Sequence, residues 1–350
     1  MSQILKFGIL GAGVISASHA KAITENPRAE LYAVCDTVQE KAERLANEYN
    51  IPHVCADLKS MLAIEELDVI TICLPSGLHE WATIDIANAG KHILCEKPID
   101  ITLEKIDRMI EVIDRSKVKF ACVYQRRTMP EAIAARQAIQ EGKLGRMVLG
   151  DAFLKYYRSP EYYASAGWRG TWELDGGGAL MNQGVHGIDL IQWMMGDIES
   201  VFAHTAALVR DIEVEDTAVI AVKYKNGALG VIQGATSVYP GQDTRFELHG
   251  ENGSLIFGDK GVQTWELLQG TIDRPDDSSA VGNPGADPRN IALDGHRILI
   301  EDMITCIIED QEPLISAREA RKAVAVIMAI YESSRTGKEV YVNHEPTISN

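Results

Sequence analysis

Over roughly the first 120 residues, short apolar runs alternate with amphipathic stretches. Lys6–Leu10, Leu31–Cys35, Val69–Cys73 and His92–Cys95 read as buried strands, with Val118–Val123 as a last strand of the same sheet. Between them HAKAITEN, KAERLANEY, LKSMLAI and HEWATIDIANAG carry apolar residues at helical spacing and end near Asn or Gly. Strand and helix in alternation mark βαβ units, so the pattern predicts an α/β domain with a doubly wound parallel sheet over residues 1–124. From Gly150 onward the texture changes. TAVIAVKYKNGALGVIQGATSV and RFELHGENGSLIF are each split by an Asn-Gly pair, Asn226-Gly227 and Asn252-Gly253, between apolar stretches. That is a strong hairpin signal. Helices are expected at Gly187–Met195, His296–Glu309 and Ala317–Thr336, and DRPDDSSAVGNPGADPRN reads as a loop. Residues 125–350 should therefore form an α+β domain with a large open, mainly antiparallel sheet, its closing helices free to pack back on the first domain. No internal repeat is visible.

Composition agrees with two cores, because 350 residues at 46% hydrophobic content exceed what one core holds. The opening MSQILKFGIL is neither a signal peptide nor a membrane span, and no later apolar run approaches about 18 residues. The six cysteines, Cys35, Cys55, Cys73, Cys95, Cys122 and Cys306, form no CxxC pair and read as buried thiols of a reducing cytoplasm. A formal net charge of −16, with no basic run to offset it, excludes nucleic acid as an expected partner. It does not exclude a single anionic substrate, which responds to the field of its own pocket.

The chemistry starts at FGILGAGVISASHAKAI. Gly11-Ala12-Gly13 follow a strand, and Val14 and Ile15 lead into a helix, which is the arrangement that lets backbone approach a pyrophosphate at a helix N-terminus. Ser16 stands where the usual third glycine would be, and an ordinary strand-to-helix turn is the plain alternative. Asp36 ends the second strand, where a carboxylate accepts ribose hydroxyls and repels a 2′-phosphate. No Arg or Lys adjoins it, so the cofactor expected of this Rossmann domain is NAD; the competing role of Asp36 is a helix N-cap. Leu74-Pro75-Ser76 with His79, and Glu96-Lys97-Pro98, sit at two further strand ends and so on the ligand side of the sheet. Lys97 could also belong to a solvated turn.

These residues, together with GGGALMNQGVHGIDLIQWMMG, resemble the glucose-fructose oxidoreductase and inositol dehydrogenase (Gfo/Idh/MocA) family over nearly the whole chain. The resemblance implies that Lys97 holds the substrate hydroxyl near the nicotinamide and that His186, four residues after Asn182, is the general acid/base. Asparagine at 182 departs from the commoner aspartate; it can orient by hydrogen bonds but cannot act as a base, which leaves His186 as proton acceptor. His79 is placed near the cofactor rather than in catalysis, and Gln125 completes the cofactor set. His19, His53 and His92 read as structural, and His296 as either a helix-terminal or a substrate residue. No histidine pairs with Cys, Asp or Glu at ligand spacing, so no metal is expected.

Tyr156, Tyr157, Arg158, Tyr162, Tyr163, Trp168, Arg169 and Trp172 crowd the segment before the glycine run. Aromatic faces stack on sugar rings, and guanidinium forks bind carboxylate or phosphate; an aromatic core under a long loop is the alternative. By the resemblance, Trp168 and Arg169 approach cofactor and substrate, and Tyr156 and Arg158 join the substrate set. Arg126, Arg127, Lys155, Arg158 and Arg169 together read as a cationic approach for an anionic ligand. The expectation is a sugar dehydrogenase acting at C3 of a hexose, most similar to the branch acting on nucleotide-linked amino sugars or uronates. Alternatives are an oxidase of free hexosides or cyclitols and, in another class, a non-catalytic NAD-binding regulator. The resemblance also implies a homodimer or tetramer through the second sheet.

Overall fold

The computed structural model describes residues 3–275 and 293–347, so the loop expected at 273–290 lies, from residue 276 on, outside the described residues. Of these, residues 3–124, 293–321 and 346–347 form one unit, and 125–275 and 322–345 a second.

The first unit carries β1 Leu5–Leu10, β2 Ala29–Cys35, β3 His53–Cys55, β4 Val69–Ile72, β5 His92–Cys95 and β6 Phe120–Cys122. They pair in the order β3-β2-β1-β4-β5-β6, every pair parallel. This is the six-stranded doubly wound Rossmann order. All four residues of β4 are buried, as a strand covered on both faces requires. β3 is absent from the sequence reading because it is a three-residue edge strand with two exposed positions, too short to show periodicity. Helices α1 Ser16–Thr24, α2 Gln39–Tyr49, α3 Leu58–Leu62, α4 His79–Asn88 and α5 Leu103–Ser116 connect the strands. α3, only five residues long, is held by a capping box in which the Asp57 carboxylate accepts the Ser60 N–H at 2.7 Å.

The second unit opens with α6 Pro130–Gln140, β7 Met147–Lys155, α7 Pro160–Ala164 and α8 Val185–Met195. β8 Ile198–Ala206, β9 Thr217–Tyr224, β10 Leu229–Ala235, β11 Arg245–Gly250, β12 Gly253–Gly258 and β13 Gly261–Leu267 follow. α9 Leu293–Ile308 belongs to the first unit and packs there on α1; α10 Ala317–Thr336 leaves that unit at Arg321, and β14 Val340–Tyr341 closes the second sheet. Within the first unit the buried Arg321 guanidinium donates to Asp107 at 2.6 Å, a pairing that closes the return of the chain.

The second sheet runs β13-β12-β11-β7-β10-β9-β8-β14. Both Asn-Gly pairs turn antiparallel hairpins, β9 to β10 and β11 to β12. The parallel pairing of β7 with β10 makes the sheet mixed. That register was not legible locally, because the two strands are far apart in sequence. α8 lies on β7 and α6, and a buried fork fixes it: Arg127 Nε and Nη2 donate to the two Asp189 oxygens at 2.8 and 2.6 Å.

Candidate active site

In the first unit the chain leaves β1 at Gly11 with φ +98°, and a β-carbon there would stand 2.6 Å from the Cys73 carbonyl oxygen. Only glycine tolerates both the left-handed conformation and that approach. At Gly13 a β-carbon would meet no protein atom within 4 Å. α1 then begins without a side-chain cap and without an acidic residue in its first turn. Its N-terminal amides and dipole suit an anion laid over the bare backbone of the turn. Asp36 is not spent as a conventional cap: one oxygen accepts the Ala12 N–H at 2.7 Å, the other the Val38 N–H at 2.8 Å. A carboxylate has about four lone-pair directions, so it retains acceptors for ribose hydroxyls. Glycine turn, uncapped helix start and anchored carboxylate fit a dinucleotide.

The ends of β4 and β5 are clamped together by His79, which is fully buried. Its Nδ1 lies 2.8 Å from the Pro98 carbonyl oxygen and its Nε2 3.0 Å from that of Leu74. The Lys97-Pro98 peptide is cis, and Lys97 is half-buried. Beneath it Glu96 turns inward. One Glu96 oxygen lies 3.2 Å from the Lys97 N–H, which donates to it; the other accepts from His19 Nε2 at 2.8 Å and faces His296 Nε2 at 3.6 Å. Burial pushes the Glu96 carboxyl up, but the bond from His19 and the facing His296 ring outweigh it and hold it well below the usual range. Burial pushes His19 down, so a neutral ring donates to Glu96 and accepts at Nδ1 from the Thr71 hydroxyl at 3.0 Å. Sequence spacing pairs no histidine with a carboxylate; here two meet one, because α1, β5 and α9 converge in space. The donor atoms lie within 4.8 Å of one another, and the Glu96 oxygens already serve His19 and Lys97.

In the second unit a short π-helix, Ala179–Gly184, runs directly into α8. Such π segments recur at functional sites. From Ala179 to Met195 every residue is buried except Asn182, Gln183, His186 and Trp193. Asn182 and His186, four apart, share one helix face. The glycines before them are dictated by packing: a β-carbon on Gly177 would collide with the Tyr331 hydroxyl oxygen. Glu215 accepts the backbone N–H of Gly178 at 3.1 Å and of Leu180 at 2.8 Å, and burial pushes its carboxyl up to about 7.

Around Asn182 the side chains form one directed network. Arg158 Nη2 donates to Gln183 Oε1 at 2.8 Å; Gln183 Nε2 donates to Asn182 Oδ1 at 2.5 Å; Asn182 Nδ2 donates to Asp175. Gln183 Nε2 also reaches the Tyr162 hydroxyl at 2.9 Å, to which Arg169 donates. The Arg169 guanidinium lies 4.2 Å from the Tyr162 ring centre and 4.7 Å from that of Trp168.

Thus Arg158, Arg169, Trp168 and Asn182 come together. Tyr156 stands apart, 3% exposed with its hydroxyl 3.4 Å from Thr244 Oγ1. Gln125 carries a buried Oε1 with no hydrogen-bond partner among the described residues. The cationic approach loses two members: Arg126 pairs with Asp259 at 3.1 Å and Arg127 with Asp189, so buried carboxylates already neutralise both. Asp175, Gln183 and Glu215 escape the sequence reading. Asp175 adjoins the glycine run and could have been singled out; Glu215 sits in an unremarked loop whose role depends on long-range pairing.

Two family models match the chain: an oxidoreductase family with NAD-binding Rossmann fold over residues 5–124, and a GFO/IDH/MocA C-terminal domain over residues 132–256. The crystal structure of the WlbA dehydrogenase from Bordetella pertussis, in complex with NADH and UDP-GlcNAcA, is similar at TM-score 0.88 and 33% identity, covering 98% of this chain and 99% of that one. Inositol 2-dehydrogenase of Rhizobium meliloti is 28% identical over 276 residues, 76% of this chain and 79% of the relative. Myo-inositol 2-dehydrogenase of Thermotoga maritima is 28% identical over 271 residues, 75% and 78% of the two chains.

Proposed function

We propose, for a chain that belongs to the GFO/IDH/MocA family of NAD-dependent oxidoreductases, that it oxidises C3 of a hexose unit carried on a nucleoside diphosphate, an amino sugar or its uronate. The observation that carries this reading is the network in which two guanidinium groups, Arg158 and Arg169, converge through Gln183 and Tyr162 on Asn182. With the Asp175 carboxylate in the same network the balance is two cations to one anion, a net positive charge that suits a carboxylate or phosphate better than a neutral cyclitol. The structural neighbour holding UDP-GlcNAcA supports the same substrate class. The 28% identity to inositol dehydrogenases keeps a cyclitol or free hexoside as the second reading.

The backbone of Gly11, Ala12, Gly13, Val14 and Ile15 would hold the pyrophosphate, and Asp36 the adenosine ribose. Leu74, Pro75, Ser76, His79, Glu96, Gln125, Trp168 and Arg169 complete the cofactor set. Bound to these residues, NAD would supply the acceptor for the hydride leaving the ring carbon. The Lys97 ammonium stabilises the alkoxide that develops on the substrate oxygen. His186 takes the hydroxyl proton, because Asn182 has no basic site, and Asn182 orients the sugar by hydrogen bonds.

We further propose a homo-oligomer through the second sheet. Phe202, Val219, Leu229 and Leu149, each 41–56% exposed, share its outer face by register. The test of the substrate reading is NADH formation by the purified protein on UDP-GlcNAcA, UDP-GlcNAc, a methyl hexoside and myo-inositol. Preference for the nucleotide-linked uronate supports it; faster turnover of myo-inositol or the hexoside overturns it.

A further inference from the structure

Asp175 is 1% exposed and lies in the chain segment just ahead of the glycine run. Its Oδ2 accepts the Gly170 N–H at 2.8 Å and its Oδ1 the Asn182 amide. A carboxylate can only accept, so it forces Nδ2 of Asn182 toward itself. Oδ1 of Asn182 must then face Gln183, whose Nε2 donates to it at 2.5 Å, and Gln183 Oε1 is turned in consequence to Arg158, which can only donate. Two amides, each able to flip, are thereby fixed between a cation at one end and an anion at the other. Every bond in the chain runs from Arg158 toward Asp175. If either end lost its charge, both amides could reverse.

We propose that Asp175 is a positioning residue of the reaction: it supplies, seven residues upstream, the carboxylate that the commoner family pattern places at 182, and with Arg158 it sets the direction in which Asn182 and Gln183 meet the substrate. The proposal rests on the reading that Asn182 orients the sugar. It explains how asparagine serves at that position: the acceptor has moved one hydrogen bond away, and the neutral residue is held in a single orientation by it.

The Asp175 carboxylate is sensed by tyrosines of two helices, and His186, one turn beyond Asn182, is present alike in the parent and in the variants compared below. Tyr162 and Tyr163 of α7 and Tyr331 of α10 each feel it, and burial holds Tyr162 up, Tyr163 at about 12 and Tyr331 well above its ordinary value. Arg158 and Arg169 stay charged. Glu215, whose charge also acts on Tyr331, is common to all the proteins compared below and cancels.

The test is a reciprocal exchange: Asp175→Asn, Asn182→Asp, and both together, assayed with whichever of UDP-GlcNAcA or myo-inositol the parent turns over. Asp175→Asn should lower kcat/KM about tenfold to a hundredfold, as expected for loss of a charge-assisted bond, with NADH binding and the melting temperature little changed. Asn182→Asp sets two carboxylates side by side, which share a proton more readily than either alone binds one. Its activity relative to the parent should therefore be highest in mild acid and fall toward alkaline pH. In the double variant the amide and the carboxylate have traded places. The amide at position 175 donates to the carboxylate at position 182 and still accepts the Gly170 N–H, while that carboxylate accepts from Gln183, so kcat/KM should return to within about threefold of the parent. Near-normal activity of Asp175→Asn, or a double variant no better than the worse single, overturns the proposal. Should Asp175→Asn not fold, Asn182→Asp alone decides, and a pH dependence identical to the parent's overturns it. Failure of the substrate reading shows separately, as faster turnover of myo-inositol or a methyl hexoside by the parent or as its indifference to the nucleotide.

Discussion

The backbone N–H of Ala12 donates to the Asp36 carboxylate at 2.7 Å, so the residue proposed to select the cofactor also pins the glycine turn that would hold it. Asp36→Ala with Thr37→Arg should move preference from NAD toward NADP, because the repelling carboxylate is removed and a fork that binds a 2′-phosphate is added. Since the turn loses its anchor as well, affinity for both dinucleotides should fall while their ratio inverts. Dissociation constants for NADH and NADPH, measured by fluorescence, check this; an unchanged ratio removes Asp36 from the site.

Lys97→Ala and His186→Ala should each cut turnover by roughly two orders of magnitude or more with NAD affinity nearly intact, since alkoxide stabilisation and proton transfer act on the chemical step. In the unaltered protein the rate of sugar oxidation should rise with pH as an imidazole becomes neutral, and that rising limb should vanish in His186→Ala. A limb that persists would assign it to another group.

Arg158→Ala should raise KM for an anionic sugar about tenfold to a hundredfold and that for a methyl hexoside far less. Because Arg158 also holds Gln183 at 2.8 Å, kcat should fall somewhat for both. Equal effects on the two sugars, with no sensitivity to salt, would favour the free-hexoside reading.

Glu215 has its carboxyl raised from the ordinary 4.5 to about 7 by burial. A raised folded-state value favours the protonated form, so its contribution to stability is complete below the unfolded value and is lost as pH climbs through about 7. Glu215→Gln keeps the neutral form but gives up one acceptor for the Gly178 or Leu180 N–H, and should melt lower than the parent in acid. That deficit should shrink as pH rises from about 5 to about 8. Melting temperatures of the two proteins across that window test it, and a constant difference would return Glu215 to an ordinary ionised state.

Leu229→Asp with Val219→Lys places charges on the outer face of the second sheet, where the parent residues are 56% and 51% exposed. The proposed oligomer should dissociate in light scattering, without loss of secondary structure. A mass identical to the parent's would exclude this face as the interface.

Sequence alone determined what is written in local periodicity and local turn chemistry. The alternation of β1, β2, β4 and β5 with helices, the Asn-Gly hairpins and the bounds of α10 at Ala317–Thr336 all follow from patterns a few residues long. Gly11, Asp36, Lys97, Asn182 and His186 could be proposed from sequence as site residues because each belongs to a short motif at a strand end or helix start. Tertiary structure decided everything that depends on residues remote in the chain. It set β7 beside β10, brought His296 of α9 to within 3.6 Å of Glu96, and gave Arg126 and Arg127 to buried carboxylates rather than to a ligand. It also supplied the partners of Asn182, whose amide takes its direction from a carboxylate and a guanidinium that no spacing rule connects. The physical reason is that backbone preference acts between neighbours in sequence, whereas hydrogen-bond satisfaction and charge compensation act between neighbours in space.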